Sequence, residues 1–139
     1  MVEIKPGLLP SMALGFEAQR AQLVTPLTPA TLFGAAQMGE TWHVLLDGKV
    51  VAFGGHFPAW AGRNVVWGYL SKDAGPAIRA MTRYIRAELE AASVQRFEAY
   101  VARNFKSGHR WIRLLGFKSE GTLRKFAHGT DYTMYARVK

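Results

Sequence analysis

Between residues 41 and 70 the chain alternates short runs of apolar, β-branched and aromatic residues with small turn pairs. Thr41–Leu46 and Val50–Phe57 flank Asp47-Gly48, a dipeptide that suits a tight turn, so the pattern predicts an antiparallel hairpin. Ala61-Gly62 marks the next turn and Asn64–Leu70 reads as a third strand. The Gly54-Gly55 pair inside the second strand predicts a bulge or the close approach of another group to the backbone. From Ala74 the period lengthens: Ile78, Met81, Ile85 and Leu89 share one face, and Arg79, Arg83, Arg86 and Glu90 lie away from it. That stripe predicts an amphipathic helix packed on a sheet, with Pro76 just inside its start where a missing N–H costs nothing. Val94–Val101 predicts a further strand, Ser107–Leu115 a short helix stopped by Gly116 as a left-handed cap, and Phe117–Arg124 with Thr130–Val138 a closing hairpin.

The first 26 residues hold Pro6, Pro10 and Pro26 and no sustained period. They read as an opening segment of loop, with a short helix around Ala13–Leu23. Thr28 then stands where an N-cap belongs and Pro29 at the first helical position, which predicts a helix over Pro29–Met38 that weakens after Gly34. The element order predicts an α/β (α+β) architecture: a mixed, mostly antiparallel sheet of six to seven strands with helices on both faces. With 139 residues, 49% of them hydrophobic and 12% aromatic, residues 1–139 are expected to fold around one core as a single domain.

Charge changes the picture more than composition does. The formal net charge is +8, and from Arg103 onward nine basic residues face only Glu120 and Asp131. A basic segment serves nucleic acid, an acidic membrane surface or a polyanionic cofactor. Phe105, Trp111, Phe117, Phe126 and Tyr132 fall mostly at core spacing, which weighs against nucleic acid held on a stacking platform; nucleic acid is not the expected partner, and steep salt dependence of DNA binding would revive it. The chain has no cysteine, and its four histidines, 43, 56, 109 and 128, show no ligand spacing, so no disulfide and no metal site is expected. No apolar run approaches the roughly 18 residues of a membrane helix, and no secretory leader is visible; a cytoplasmic, membrane-free protein is expected.

The last third carries the most specific string, Asn104-Phe-Lys-Ser-Gly-His-Arg-Trp-Ile-Arg-Leu-Leu-Gly-Phe, followed by a Gly-containing strand. It resembles the C-terminal half of GNAT-type N-acetyltransferases, in which an Asn opens a helix that ends in Leu-Gly-Phe. The acyl-CoA signature of that superfamily is Gln or Arg, two residues, Gly, one residue, then Gly or Ala, between a strand and a long helix. Ser71-Lys72-Asp73-Ala74-Gly75-Pro76-Ala77 stands at that place and matches at Lys72, Gly75 and Ala77, with Lys in the first slot. Free N–H groups at a helix start bind pyrophosphate, and small residues let it come close. Pro76 removes one donor and Asp73 adds a negative charge there.

The resemblance covers roughly Asn64 to Arg137 and implies a domain that binds acetyl-CoA (coenzyme A) and transfers its acetyl group to an amine. It implies cofactor contacts at Leu70, Lys72, Ala74, Gly75, Ala77, Asn104 and Arg110. The superfamily often places a Tyr four residues before the Gly of Leu-Gly-Phe, as general acid for the departing thiolate. Ile112 stands there, so Tyr132, Tyr135 or His109 is the substitute, with Tyr132 taken as acid and His56, among His43, His56, Tyr69 and Glu98, as base. The string around His109 also looks like variants in acetyltransferase-like proteins of tailed bacteriophages. That points to an alternative: a degenerate domain that serves in a larger assembly such as a virion, with virion proteins or further copies of itself as partners. An enzyme requires an open gap between the strands ending near Ser71 and Asn104, whereas a structural component could have it filled.

Overall fold

Asp47 and Gly48 both take positive φ, 49° and 84°, and form the tight turn between β2 (Glu40–Leu46) and β3 (Lys49–Trp60), as the dipeptide predicts. The computed structural model describes residues 1–19 and 27–139. Its other elements are β1 (Val2–Pro6), a 3-10 turn (Pro10–Ala13), α1 (Pro29–Met38), β4 (Arg63–Leu70) and a second 3-10 turn (Gly75–Ala77) that runs into α2 (Ile78–Ala91). They are followed by β5 (Arg96–Ala102), α3 (Lys106–Leu114), β6 (Lys118–Ala127) and β7 (Thr130–Val138). The seven strands form one sheet in the order β1-β2-β3-β4-β5-β7-β6. Every neighbouring pair is antiparallel except β4 and β5, whose parallel pairing requires the crossover that α2 supplies.

Helices cover both faces. On one, Met81, Ile85 and Leu89 of α2 and Ile112 and Leu115 near α3 are buried in one cluster with Phe97, Val101 and Tyr135 of the sheet. On the other, Ala13 and Leu32 close over Phe53, bringing the first 3-10 turn and α1 onto β3. Gly116 (φ 90°) ends α3 in the expected left-handed cap, with its N–H bonded to Arg113 O and that of Phe117 to Ile112 O, a Schellman pair.

Three expectations change, and a fourth is decided between its two readings. β1 pairs along β2 from Val2↔Leu46 to Pro6↔Trp42, although its five residues hold only two strong β-formers and end in Pro. An edge strand tolerates that proline, and its partner, not its own pattern, makes it a strand. α1 continues to Met38 because Thr28 and Thr31 form a reciprocal capping box and Leu32 is buried, which offsets Gly34. No helix occupies residues 14–19: the 3-10 turn stops at Ala13, and Ala18 bridges Ser71; positions 20–23 of the expected helix lie outside the described residues. The bulges fall between Val44 and Leu45 and around Pro58, not at Gly54-Gly55.

The glycine pair instead marks a close approach. A Cβ on Gly54 would lie 2.4 Å from Trp67 O and 2.8 Å from the Trp42 ring, and one on Gly55 only 2.1 Å from Glu40 O. Backbone atoms held in a ladder cannot give way, so Gly55→Ala is expected to cost about 3 kcal/mol, the upper end for overpacking. Thermal denaturation checks this, and a wild-type melting temperature would show that β2 can shift outward.

Candidate functional site

β4 and β5 pair only through Arg63↔Arg96, Asn64↔Phe97 and Val65↔Glu98. Beyond that joint they diverge, and the gap holds a cavity of about 250 Å³. Trp67 and Tyr69 of β4, Tyr100 of β5, Tyr132 of β7, and Trp111 and Ile112 of α3 wall it. Ile112, at the position where the resemblance expects a Tyr, does face this cavity but brings an alkyl group. Trp111 Nε1 donates to Thr82 Oγ1 at 3.0 Å, which ties α3 to α2 beside the cavity. Phe105 packs so tightly over Gly108 that a Cβ there would lie 2.3 Å from its ring, and this fixes α3 against the end of β5. Burial, and then the proximity of Tyr132, hold the Tyr69 phenol above its ordinary range, and both residues line the cavity, one from β4 and one from β7.

The joint is pinned by Glu98, 3% exposed, which accepts hydrogen bonds from Arg63 Nε (2.8 Å), Arg96 Nε (2.9 Å) and Tyr100 Oη (3.0 Å). Burial raises its pKa, but the three donors outweigh burial, and the net direction is down. Arg96 forks onward to Glu120 at 2.6 and 3.3 Å. Glu98 is therefore an ionised strut with its lone pairs committed.

At the far end of β4, the loop 71–77 leads into α2. Ala74 and Ala77 are buried against the core, whereas Gly75 borders open space: a Cβ there meets nothing within 4 Å. Lys72 Nζ pairs with Glu17 at 2.5 Å, and Asp73 with Lys49 at 3.1 Å. Several loop N–H groups already have acceptors: Lys72 donates to Glu17 O, Asp73 to Ser71 Oγ, and Ala74 to Ser71 O. Glu17 belongs to a short stretch beside β4 in which Gln19 N donates to Leu70 O at 2.9 Å. Ser107 Oγ of α3 donates to Gln19 Oε1 at 2.6 Å, so Gln19 bridges the two sides of the gap.

Of the residues singled out by sequence, Tyr69, Leu70 and Tyr132 line the cavity, and those that follow stand apart from it. His56 lines a second cavity of about 320 Å³ next to α2, with Glu40, Tyr84 and Glu88. Asn64 Nδ2 donates to His56 Nδ1 at 2.9 Å, and Nε2 faces the Glu40 carboxylate at 3.5 Å. His43 donates from Nδ1 to Gly7 O at 2.8 Å and is buried between strands. Asn104 is exposed, and the residue at the N-cap of α3 is Phe105. Arg110 lies on the face of α3 turned away from the cavity, with Lys106 and Arg113. His109 joins Tyr135 Oη at 2.7 Å and Ala102 O at 2.9 Å. Trp67 and Tyr100 were missed by sequence reasoning, although alternation along the strands puts Trp67 and Tyr69 on one face, the signal that could have found the first. Among the described residues no cluster of three or more His, Asp or Glu could hold a metal. No helix among them is long and apolar enough to cross a membrane.

No protein-family model matches the sequence, and no curated protein matches it. Solved structures do. The ribosomal-protein-S18-alanine N-acetyltransferase from Escherichia coli aligns over 99% of this chain and 94% of its own, with a TM-score of 0.77 at 15% identity. A GNAT-family acetyltransferase from Bacillus anthracis aligns over 99% and 94%, with a TM-score of 0.73 at 13% identity. The ribosomal-protein-S5-alanine acetyltransferase from Vibrio fischeri aligns over 99% and 92%, with a TM-score of 0.70 at 14% identity. The seven-stranded mixed sheet and its three helices thus follow the fold of these acetyltransferases over nearly the whole chain, including the first third that the sequence motifs left unmatched.

Proposed function

We propose that this chain is an acyl-CoA-dependent N-acyltransferase, which moves an acetyl group from acetyl-CoA to an amine by direct attack in a ternary complex. One observation carries the reading: β4 and β5 part after three paired residues and leave an apolar cavity lined by Tyr69 and Tyr132. A slender arm bearing amides suits a channel between two strands, because such walls combine apolar side chains with backbone N–H and C=O groups. Gly75 leaves room at the start of α2, where a helix end favours phosphate. When bound, acetyl-CoA supplies an activated thioester.

The chain's residues have these roles in the proposal. The Leu70 backbone, Gly75 and the small Ala74 and Ala77 shape the track of the arm. Lys72 exchanges Glu17 for phosphate, and exposed Asn104 closes the mouth from the β5 side. Tyr132 holds a proton for the departing sulfur. No carboxylate or imidazole lines the cavity among the described residues, and His56 faces a different one, so the amine arrives unprotonated and sheds its proton to water.

A second reading, a fold kept without chemistry inside a larger assembly such as a virion, is favoured by a specific observation. Glu17–Gln19 uses backbone groups of Leu70 and Lys72 at the gap, and Gln19 ties that stretch to Ser107. Calorimetric titration with acetyl-CoA and with CoA separates the two. Micromolar binding is expected, and its loss in Gly75→Trp, with an unchanged melting curve because that position borders open space, would locate the phosphates. No binding at millimolar cofactor would favour the assembly role.

A further inference from the structure

We infer that the outer face of α3 and the strands beside it form a binding groove for the phosphate backbone of a single-stranded nucleic acid. The groove, about 580 Å³, is lined by Arg103, Lys106, Arg110 and Arg113, with Ser119, Thr122 and Thr133 opposite. Its floor is fixed, since Tyr135 is 1% exposed and bonded to His109, which is held in turn by Ala102 O. The cavity between β4 and β5 touches the other face of α3, through Gly108, Trp111 and Ile112, so the two sites share a helix but no α3 side chain.

Among the described residues none of the four cations forms an ion pair; Arg113 lies over the Tyr135 ring at 5.8 Å, which leaves its charge available. The two acids of the C-terminal third are used elsewhere, Glu120 by Arg96 and Asp131 by the Lys125 N–H. A folded chain that keeps four like charges together without a carboxylate gains an external anion's attraction at little desolvation cost.

Shape selects the partner. Lys106, Arg110 and Arg113 span eight residues of helix, seven rises of about 1.5 Å or roughly 10 Å, the reach of a few linked phosphates and more than one phosphopeptide group spans. A concave groove cannot press on a flat bilayer, and no exposed apolar side chain lines it for insertion. Hydroxyls at 119, 122 and 133 add neutral phosphate donors. No exposed aromatic side chain lines the groove, so binding is expected to follow the backbone without base preference.

Fluorescence anisotropy with labelled oligo-dT and oligo-U, over a decade of KCl concentration, tests the inference. Both strands should bind at low salt, with log K falling against log[KCl] at a slope of about −3 for four phosphates. DNA and RNA should differ little, since the groove reads phosphate. Lys106→Glu with Arg113→Glu should weaken binding more than tenfold and flatten the slope by about 1.4, roughly 0.7 per cation on a single strand. The same variant should titrate acetyl-CoA as wild type does, because neither residue faces the cavity. Arg79→Glu with Arg83→Glu, on the exposed face of α2, should leave oligonucleotide binding unchanged. Equal loss in the α2 variant, stronger binding to duplex or to anionic vesicles, or no binding at low salt would each overturn the groove while leaving the proposed acyl transfer as it stands.

Discussion

Replacing Glu98 by Ala is expected to remove about 3 kcal/mol of stability, the lower end of the cost of breaking a buried ion pair. Glu98 is buried where β4 and β5 last touch, and among the described residues it is the sole carboxylate for Arg63 and a shared one for Arg96. Without it the two guanidinium groups are left facing each other across the joint. Arg63 and Arg96 are 39% and 28% exposed, so water relieves part of the penalty and the higher figures do not apply. Glu98→Gln, which keeps the shape but not the charge, should fall between. Urea denaturation at neutral pH measures this.

The pH dependence has a definite sign. The folded pKa of Glu98 lies below its ordinary value, so its contribution is present above about 4.3, the unfolded reference, and is lost as pH falls through the folded value. The wild type should lose stability through that window more steeply than Glu98→Gln, whose curve should be flatter. Glu17, Glu90 and Glu120 are also lowered, by Lys72, Arg137 and Arg96 respectively, but they are solvent-exposed and their share is small. Parallel acid limbs in the two proteins would mean that Glu98 is not the strut of the joint.

What could be read from sequence was what neighbouring residues decide among themselves. Asp47-Gly48 needs only its own two positive φ values, Gly116 only the last turn of α3, and the α2 stripe only its period. β1 escaped because Val2–Pro6 becomes a strand through β2, 35 to 45 residues away. The same limit explains the candidate site. Tyr132 and Tyr69 come from strands that are not adjacent, so nothing local could announce that they share a cavity. Helical periodicity alone did contain the separation of Arg110 from Gly108 and Ile112, since a charged face and an apolar face of α3 alternate every three to four residues. The expectation for Arg110 followed motif position instead. Gln19 reaching from Leu70 to Ser107 joins three distant segments, the kind of contact no pattern encodes.

Tyr132→Phe is expected to lower kcat for acetyl transfer about 10²-fold, the low end of what one general acid supplies, with KM for acetyl-CoA nearly unchanged. In the proposed reaction the phenol donates only as the sulfur departs, so its removal should strike the transition state and leave ground-state binding to the ring, which Phe retains. The loss stays at the low end because Tyr69 faces the same cavity and, with its pKa raised by burial and by Tyr132, remains protonated through the working pH range. Tyr69→Phe combined with Tyr132→Phe should therefore fall further than either alone. Wild-type kcat/KM should rise with pH along the titration of the acceptor amine, because among the described residues no carboxylate or imidazole lines the cavity to do that work. The Phe variant should keep the same rising limb at a lower level. Full activity in Tyr132→Phe would leave that ring a wall of the channel and assign the proton to Tyr69, which the single Tyr69→Phe variant would then reveal by the larger loss.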